Sequence, residues 1–164
     1  MHSKTIQFGG DSFEVEKVFV KNVSGTDTVA GGVYALDLGA ADSDTSGAAD
    51  PIRAAQQNLV GVLTANLGGI LVVTPKIIKA GEIGEAVISG PVKVLVDGTT
   101  DVAKINRLKA SNASTSLSKA SAAVGSVDIG VGVALEAQAA DSAVLIWVLF
   151  DGISFNKVIN GAVS

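Results

Sequence analysis

Residues 143–150 read AVLIWVLF, an unbroken apolar run of eight. The run is short for a helix and has no polar residue to mark a solvent face, so it predicts a strand buried on both sides. Just upstream, 127–136 (VDIGVGVALE) alternates: Val127, Ile129, Val131, Val133 and Leu135 fall on one face, Gly130 and Gly132 on the other. Glycines in a strand mark close backbone approach or the curvature of a small barrel. Further back, 105–110 and 116–120 flank Asn112-Ala113-Ser114 as a hairpin. In 92–96, Val92, Val94 and Val96 face one way and Lys93 and Leu95 the other, before the turn signal Asp97-Gly98. Gly90-Pro91 joins this run to a second one at 85–89, and 59–64 and 70–74 read as strands around the turn 66–69.

The N-terminal part is β as well. Residues 4–8 and 12–20 alternate and are joined by Gly9-Gly10-Asp11, a hairpin pattern whose phase slips near Glu16-Lys17, as a bulge would make it. After the turn 24–27, residues 31–38 set Val33 and Ala35 opposite Tyr34, Leu36 and Leu38. The stretch 39–50, GAADSDTSGAAD, has too little apolar surface to offset the entropy of ordering and reads as a surface loop. Asp50-Pro51 pairs an N-cap residue with proline at the first helical position, so 51–57 is the one expected helix. Some ten short strands with glycine-rich turns define an all-β fold: a compact β-barrel-like domain with an N-terminal β extension and at most one short helix. The division is 1–50, an N-terminal β arm or hairpin and acidic loop, and 51–164, a barrel-like core with a short C-terminal tail.

Composition removes most chemistry. Ala and Val, 23 each, with 19 Gly make up much of the 164 residues, and charged residues are only 17%. The apolar fraction excludes a disordered chain. No window is long and apolar enough for a transmembrane helix, and Met1-His2-Ser3-Lys4 leads into no signal-peptide core. The absence of cysteine removes disulfides, thiolate nucleophiles and cysteine–zinc sites, and a single histidine, His2, removes most imidazole chemistry. Charge is uneven: 11–50 has eight acidic and two basic residues, 76–119 four acidic and seven basic. Two arginines, neither among aromatics, do not make a nucleic-acid surface; a contact between subunits would use such asymmetry.

Motifs fail individually. Asp42, Asp44, Ser46, Gly47 and Asp50 follow the start of a calcium loop, but Arg53 stands where the bidentate glutamate belongs. Gly130-Val131-Gly132 lacks the third glycine and the following helix of a dinucleotide site. Glu82 and Glu85, an imaginable acid–base pair, sit in a turn with nothing to raise a pKa. Asn22-Val23-Ser24 and Asn112-Ala113-Ser114 match a glycosylation pattern that has no meaning without secretion. Trp147 reads as core or subunit interface. The expectation is no enzyme, no metal and no cofactor.

Within 57–151 the runs VVTPKIIKAGEIGEAVISGPVKVLVDG, INRLKASNASTSLSKAS and IGVGVALEAQAADSAVLIWVLF resemble, in the order of their elements, the head-decoration or capsid-cement proteins of tailed bacteriophages. The order is a hairpin in GEIGEAVISGPVKVLVDG, a second hairpin RLKAS–turn–LSKAS, the strand GVALEA and a closing apolar strand. The chain departs at Ile105-Asn106, where many relatives have Gly-Asp before the RL strand. The resemblance implies a β-barrel-like subunit that forms homotrimers, binds the phage major capsid protein on the outside of an icosahedral shell, and touches neither nucleic acid nor membrane. It would be made in the host cytoplasm and reside in the virion. A phage tail or baseplate β-module is the alternative, and a surface carbohydrate-binding module a further one. Ile6, Phe8, Phe13, Val15, Val18 and Val20, on the alternating N-terminal strands outside the recognised stretch, are the expected capsid or subunit contacts, by strand addition to a sheet edge.

Overall fold

A computed structural model describes residues 2–8, 11–37, 57–60, 70–111, 113–121, 127–153 and 158–160. All regular structure among them is β. The strands are β1 (His2–Phe8), β2 (Asp11–Asn22), β3 (Gly32–Asp37), β4 (Gln57–Val60), β5 (Leu71–Thr74), β6 (Ile83–Val96), β7 (Arg107–Ala110), β8 (Leu117–Lys119), β9 (Val127–Ala134), β10 (Val144–Asp151) and β11 (Val158–Asn160). The acidic loop at 39–50 and all but the last residue of the helix expected at 51–57 lie outside the described residues; Gln57 opens β4.

Five strands close a barrel in the order β6-β10-β9-β7-β8, and β8 returns parallel to the end of β6 through Val96 and Leu117. Closure removes the unpaired edges that a flat sheet would expose. The first half of β6 belongs to another set: β2 pairs β6, β4 runs parallel to β2, and β3 and β5 complete the path back to β6. β1 adds to β2 as the expected hairpin, with Ile6 opposite Phe13, and β11 adds to β9.

Two apolar cores result. The larger fills the barrel with Val92, Val94, Val96, Leu108, Val148 and Phe150 and continues onto Val33, Leu71 and Val73. The smaller holds Val18, Val20, Tyr34, Leu36, Val72 and Ile88. β3 and β5 lie between them, so alternate residues of each strand face different cores; all four residues of β5 are buried. The register shift expected near Glu16-Lys17 is present, but its extra residue is Ile88 of β6. Glu16 pairs Ser89 and Lys17 pairs Val87, so β2 alternates plainly, with Val15 in the larger core and Val18 and Val20, on its other face, in the smaller. Of the stretch 1–50, β2 and β3 therefore take part in both cores.

Three expectations need correction. GEIGEAVISGPVKVLVDG is not a hairpin but one continuous strand, β6. Its glycine bends the strand without reversing it. Gly90 has φ +105°, and a Cβ there would lie 2.4 Å from the Glu14 carbonyl oxygen, so the β2 backbone occupies the space of the missing side chain. The phase shifts just before the glycine, at the extra residue Ile88, so that Val87 and Val92 both face the larger core. Next, β10 is not buried on both sides. Ile146, Val148 and Phe150 point inward, Trp147 and Leu149 are half-buried on the outer face, and Val144 and Leu145 are exposed. Barrel closure gives the strand one inside, and nothing described in this chain fully covers its outside. Lastly, Val131 and Val133 do not share a face. Leu108 pairs Gly132 and Lys109 pairs Gly130, so β9 bulges at Val131, which turns into the core while Val133 lies outside beside Leu149. The close approach expected of the glycines holds at Gly132, where a Cβ would lie 2.7 Å from Val148 Cγ1.

Candidate interaction surface

Among the described residues no group of three or more His, Cys, Asp or Glu could hold a metal ion. Asp42, Asp44, Ser46, Gly47, Asp50 and Arg53 lie outside those residues. Glu82 is exposed in the turn before β6, and Glu85 is held in an ion pair with Lys17 at 2.9 Å, across the β2–β6 ladder. Asn22 of the first glycosylation match is fully buried. Its side-chain amide donates to the carbonyls of Thr26 and Ile78, which makes it a structural clamp between two turns. Asn112 is outside the described residues. The Tyr34 hydroxyl accepts the Val29 N–H at 2.7 Å, and burial raises its pKa, with the hydrogen bond opposing the shift.

What the molecule offers is surface. On the outside of the barrel Leu145 lies opposite Leu95, Trp147 opposite Lys93, and Leu149 opposite Pro91. The Lys93 ammonium stands 5.9 Å from the Trp147 ring centroid, and the Trp147 N–H of the backbone donates to Glu136. Beside this ladder, where β9 has Gly130 in place of a side chain, a cleft of about 500 Å³ opens between Arg107, Val133, Leu149 and Asp151.

At the start of β6, Phe19, Ile77 and Ile83 are exposed by 53%, 61% and 64%. Lys21 stands opposite Ile83 and Phe19 opposite Glu85 on the same outer face. A second hollow, about 410 Å³, lies here between Pro75, Ile77, Ile78 and Gly84, with Lys17, Lys76 and Glu85 at its rim. Its floor depends on Gly84, above which Ile78 Cγ1 sits 2.6 Å from where a Cβ would be. Ile105, 80% exposed, stands alone past the other end of β6.

Of the expected contact residues, Val15, Val18 and Val20 are buried in the two cores. The side chains of Ile6, Phe8 and Phe13 lie outside what the structure describes; their backbone forms β1 and the start of β2. This hairpin therefore offers a partner the edge of β1, which among the described residues pairs on one side only. Phe19, Ile77, Ile83 and Ile105 were not singled out from sequence. The available signal was phase: Phe19 is apolar between two inward valines, and Ile105 stands between Lys104 and Asn106 where a turn residue belongs.

No family model matches the chain, and no curated protein matches it. Among solved structures it is similar to the N base of the head fiber gp8.5 of bacteriophage phi29, with 10% identity over 84% of this chain and 94% of that chain and a TM-score of 0.49. At that level the likeness carries no argument.

Proposed function

We propose that the chain is a structural virion protein that binds the outer surface of an icosahedral phage capsid and cements adjacent capsomers. The observation that supports this reading is that all five barrel strands, β6 to β10 (83–151), lie within 57–151, the stretch that resembles capsid-decoration proteins. Its RLKAS–turn–LSKAS hairpin and closing apolar strand are present as β7–β8 and β10, while its first element is one strand and not a hairpin. The physical role needs no catalytic group. A protein that binds only the assembled, expanded shell stabilises that state by mass action. If three copies associate around a three-fold axis, each weak contact with a capsomer is reinforced by the effective concentration of the others. The β1 edge is suited to adding a strand from the major capsid protein, because among the described residues β1 pairs on one side only. The partners are then the capsid protein and copies of the chain itself, with no cofactor, nucleic acid or membrane involved, and the site of action is the virion surface after synthesis in the host cytoplasm.

The test is co-sedimentation with expanded shells of the encoding phage prepared without this protein, together with the solution mass by light scattering. Saturable binding in multiples of three per capsomer junction is the expected result. A hexameric ring or filament that ignores shells would replace this reading with a tail component. Deleting residues 1–8 removes β1 and spares β2; the variant should fold and bind shells more weakly, and unchanged affinity would sink the strand-addition route.

A further inference from the structure

Ile105 is the most exposed large apolar side chain described in the molecule, and its backbone is in the left-handed region with φ +68°. A β-branched residue is among the least suited to that conformation, which glycine or asparagine adopts at far lower cost. The strain is held in place rather than relaxed. Ile105 N–H donates to the Ala134 carbonyl, the Ala134 N–H donates to the Asn106 carbonyl, and the Asn106 side chain accepts the Ala103 N–H. A rigid turn thus presents an aliphatic knob to solvent at an energetic cost, the pattern found where a strained residue serves recognition.

The hollow that fits such a knob is on the same molecule, at the opposite end. It lies between Pro75, Ile77, Ile78 and Gly84 by the start of β6, whereas the Ile105 turn lies past its end, at the mouth where β9 and β6 finish. At about 3.3 Å per residue the 14 residues of β6 stand between the two, so one copy cannot fill its own hollow. Charge matches shape. The connections around the knob, 97–106 and 135–143, carry Asp97, Asp101, Glu136 and Asp141 against Lys104 alone. The rim of the hollow has Lys17, Lys76 and Glu85, the last ion-paired to Lys17; with Lys21 opposite Ile83, and Lys79 and Glu82 in the same connection, the basic groups outnumber the acidic four to two.

We infer that copies of this chain associate head to tail, with Ile105 of one copy seated in the Pro75–Ile77–Ile78–Gly84 hollow of the next. Such a contact is heterologous, so it closes into a ring when the rotation between copies divides a full turn. It rests on the two ends of β6 and not on shell binding.

Light scattering on the full chain tests it with two variants, Ile105→Gly and Ile77→Asp. Ile105→Gly removes the knob and also relieves the backbone, so it should melt at or above the wild-type temperature while association weakens about ten- to a hundred-fold. Ile77→Asp alters an exposed position, should leave melting unchanged, and should spoil only the hollow. Each variant alone should be monomeric. An equimolar mixture should stop at the mass of a dimer, since only one intact knob faces one intact hollow. Wild-type association should also weaken with added salt. A wild-type chain that stays monomeric at the highest concentration reached, an Ile105→Gly protein that assembles as before, or a mixture with no dimer overturns the inference. Shell co-sedimentation is read separately: a monomer that still coats shells keeps the capsid reading and removes this contact, and a ring that ignores shells does the reverse.

Discussion

Past Pro91, β6 turns Val92, Val94 and Val96 to a core and leaves Lys93 exposed on the other side. Before Gly90 the same strand buries Ala86 and Ile88 on one face and Val87 on the other. The barrel half needs only one apolar face per strand, because closure hides the edges and the outside can stay half wet. The other half has no such economy, since β3 and β5 stand between two cores and bury side chains on both faces. That difference explains a composition heavy in valine, alanine and glycine: strands packed on both faces about 10 Å from each neighbouring layer leave little room for larger side chains. It also explains why aromatic rings are few and why Tyr34, the one buried tyrosine, needs Val29 as a partner for its hydroxyl.

The sharpest way to break the barrel half is Phe150→Ala. Phe150 is 1% exposed at the centre of the larger core, and its loss should cost about 4 kcal/mol in urea unfolding. A cost below about 1 kcal/mol would mean that the barrel interior is not packed as described. The joint between the halves comes next. Gly90→Val places a branched side chain at φ +105° against the β2 backbone and should cost about 3 kcal/mol, with the loss of the pairing of β2 to β6 visible in amide exchange. In the doubly covered half, Val72→Ala should cost about 2 kcal/mol. Because β3 and β5 belong to both cores, all three variants should unfold in one transition. Two separable transitions would show that the halves are independent.

The smallest effect is confined to alkaline solution. Tyr34 has a folded pKa above its ordinary value of 10.0, so the folded state keeps its proton where the unfolded chain has begun to lose it. The stability this confers is complete below pH 10 and falls as pH rises from there through the folded pKa. Tyr34→Phe should remove that part of the alkaline slope, and an unchanged slope would place its origin elsewhere.

The pattern of 12–20 showed a change at Glu16-Lys17, where the apolar residues pass from one face of β2 to the other, and the extra residue of the bulge there is Ile88 of β6. The hairpin around 112–114 and the inward face of Val92, Val94 and Val96 were legible because each is a local pattern of side chains. Gly90-Pro91 was misread as a reversal since a kink and a turn use the same residues. What distinguishes them is the Glu14 carbonyl from a strand over 70 positions away. Trp147 and Leu149 looked like core because hydrophobicity records a preference for burial and not whether the chain provides it. The surface features share this blindness. Phe19 and Ile83 come to one outer face only when β2 and β6 pair, and the left-handed backbone of Ile105 leaves no mark in composition.

By itself the sequence determined that the chain is all-β, barrel-like, rich in small apolar strands and poor in reactive side chains, because periodicity and composition act within a few residues. Tertiary structure alone decided that β6 is one strand shared by two sets of partners, that β10 has a single inside, and that a strained isoleucine and an apolar hollow stand at opposite ends of β6. Those facts depend on which distant backbones come together, and close packing between remote segments is settled by the whole fold rather than by any stretch of it.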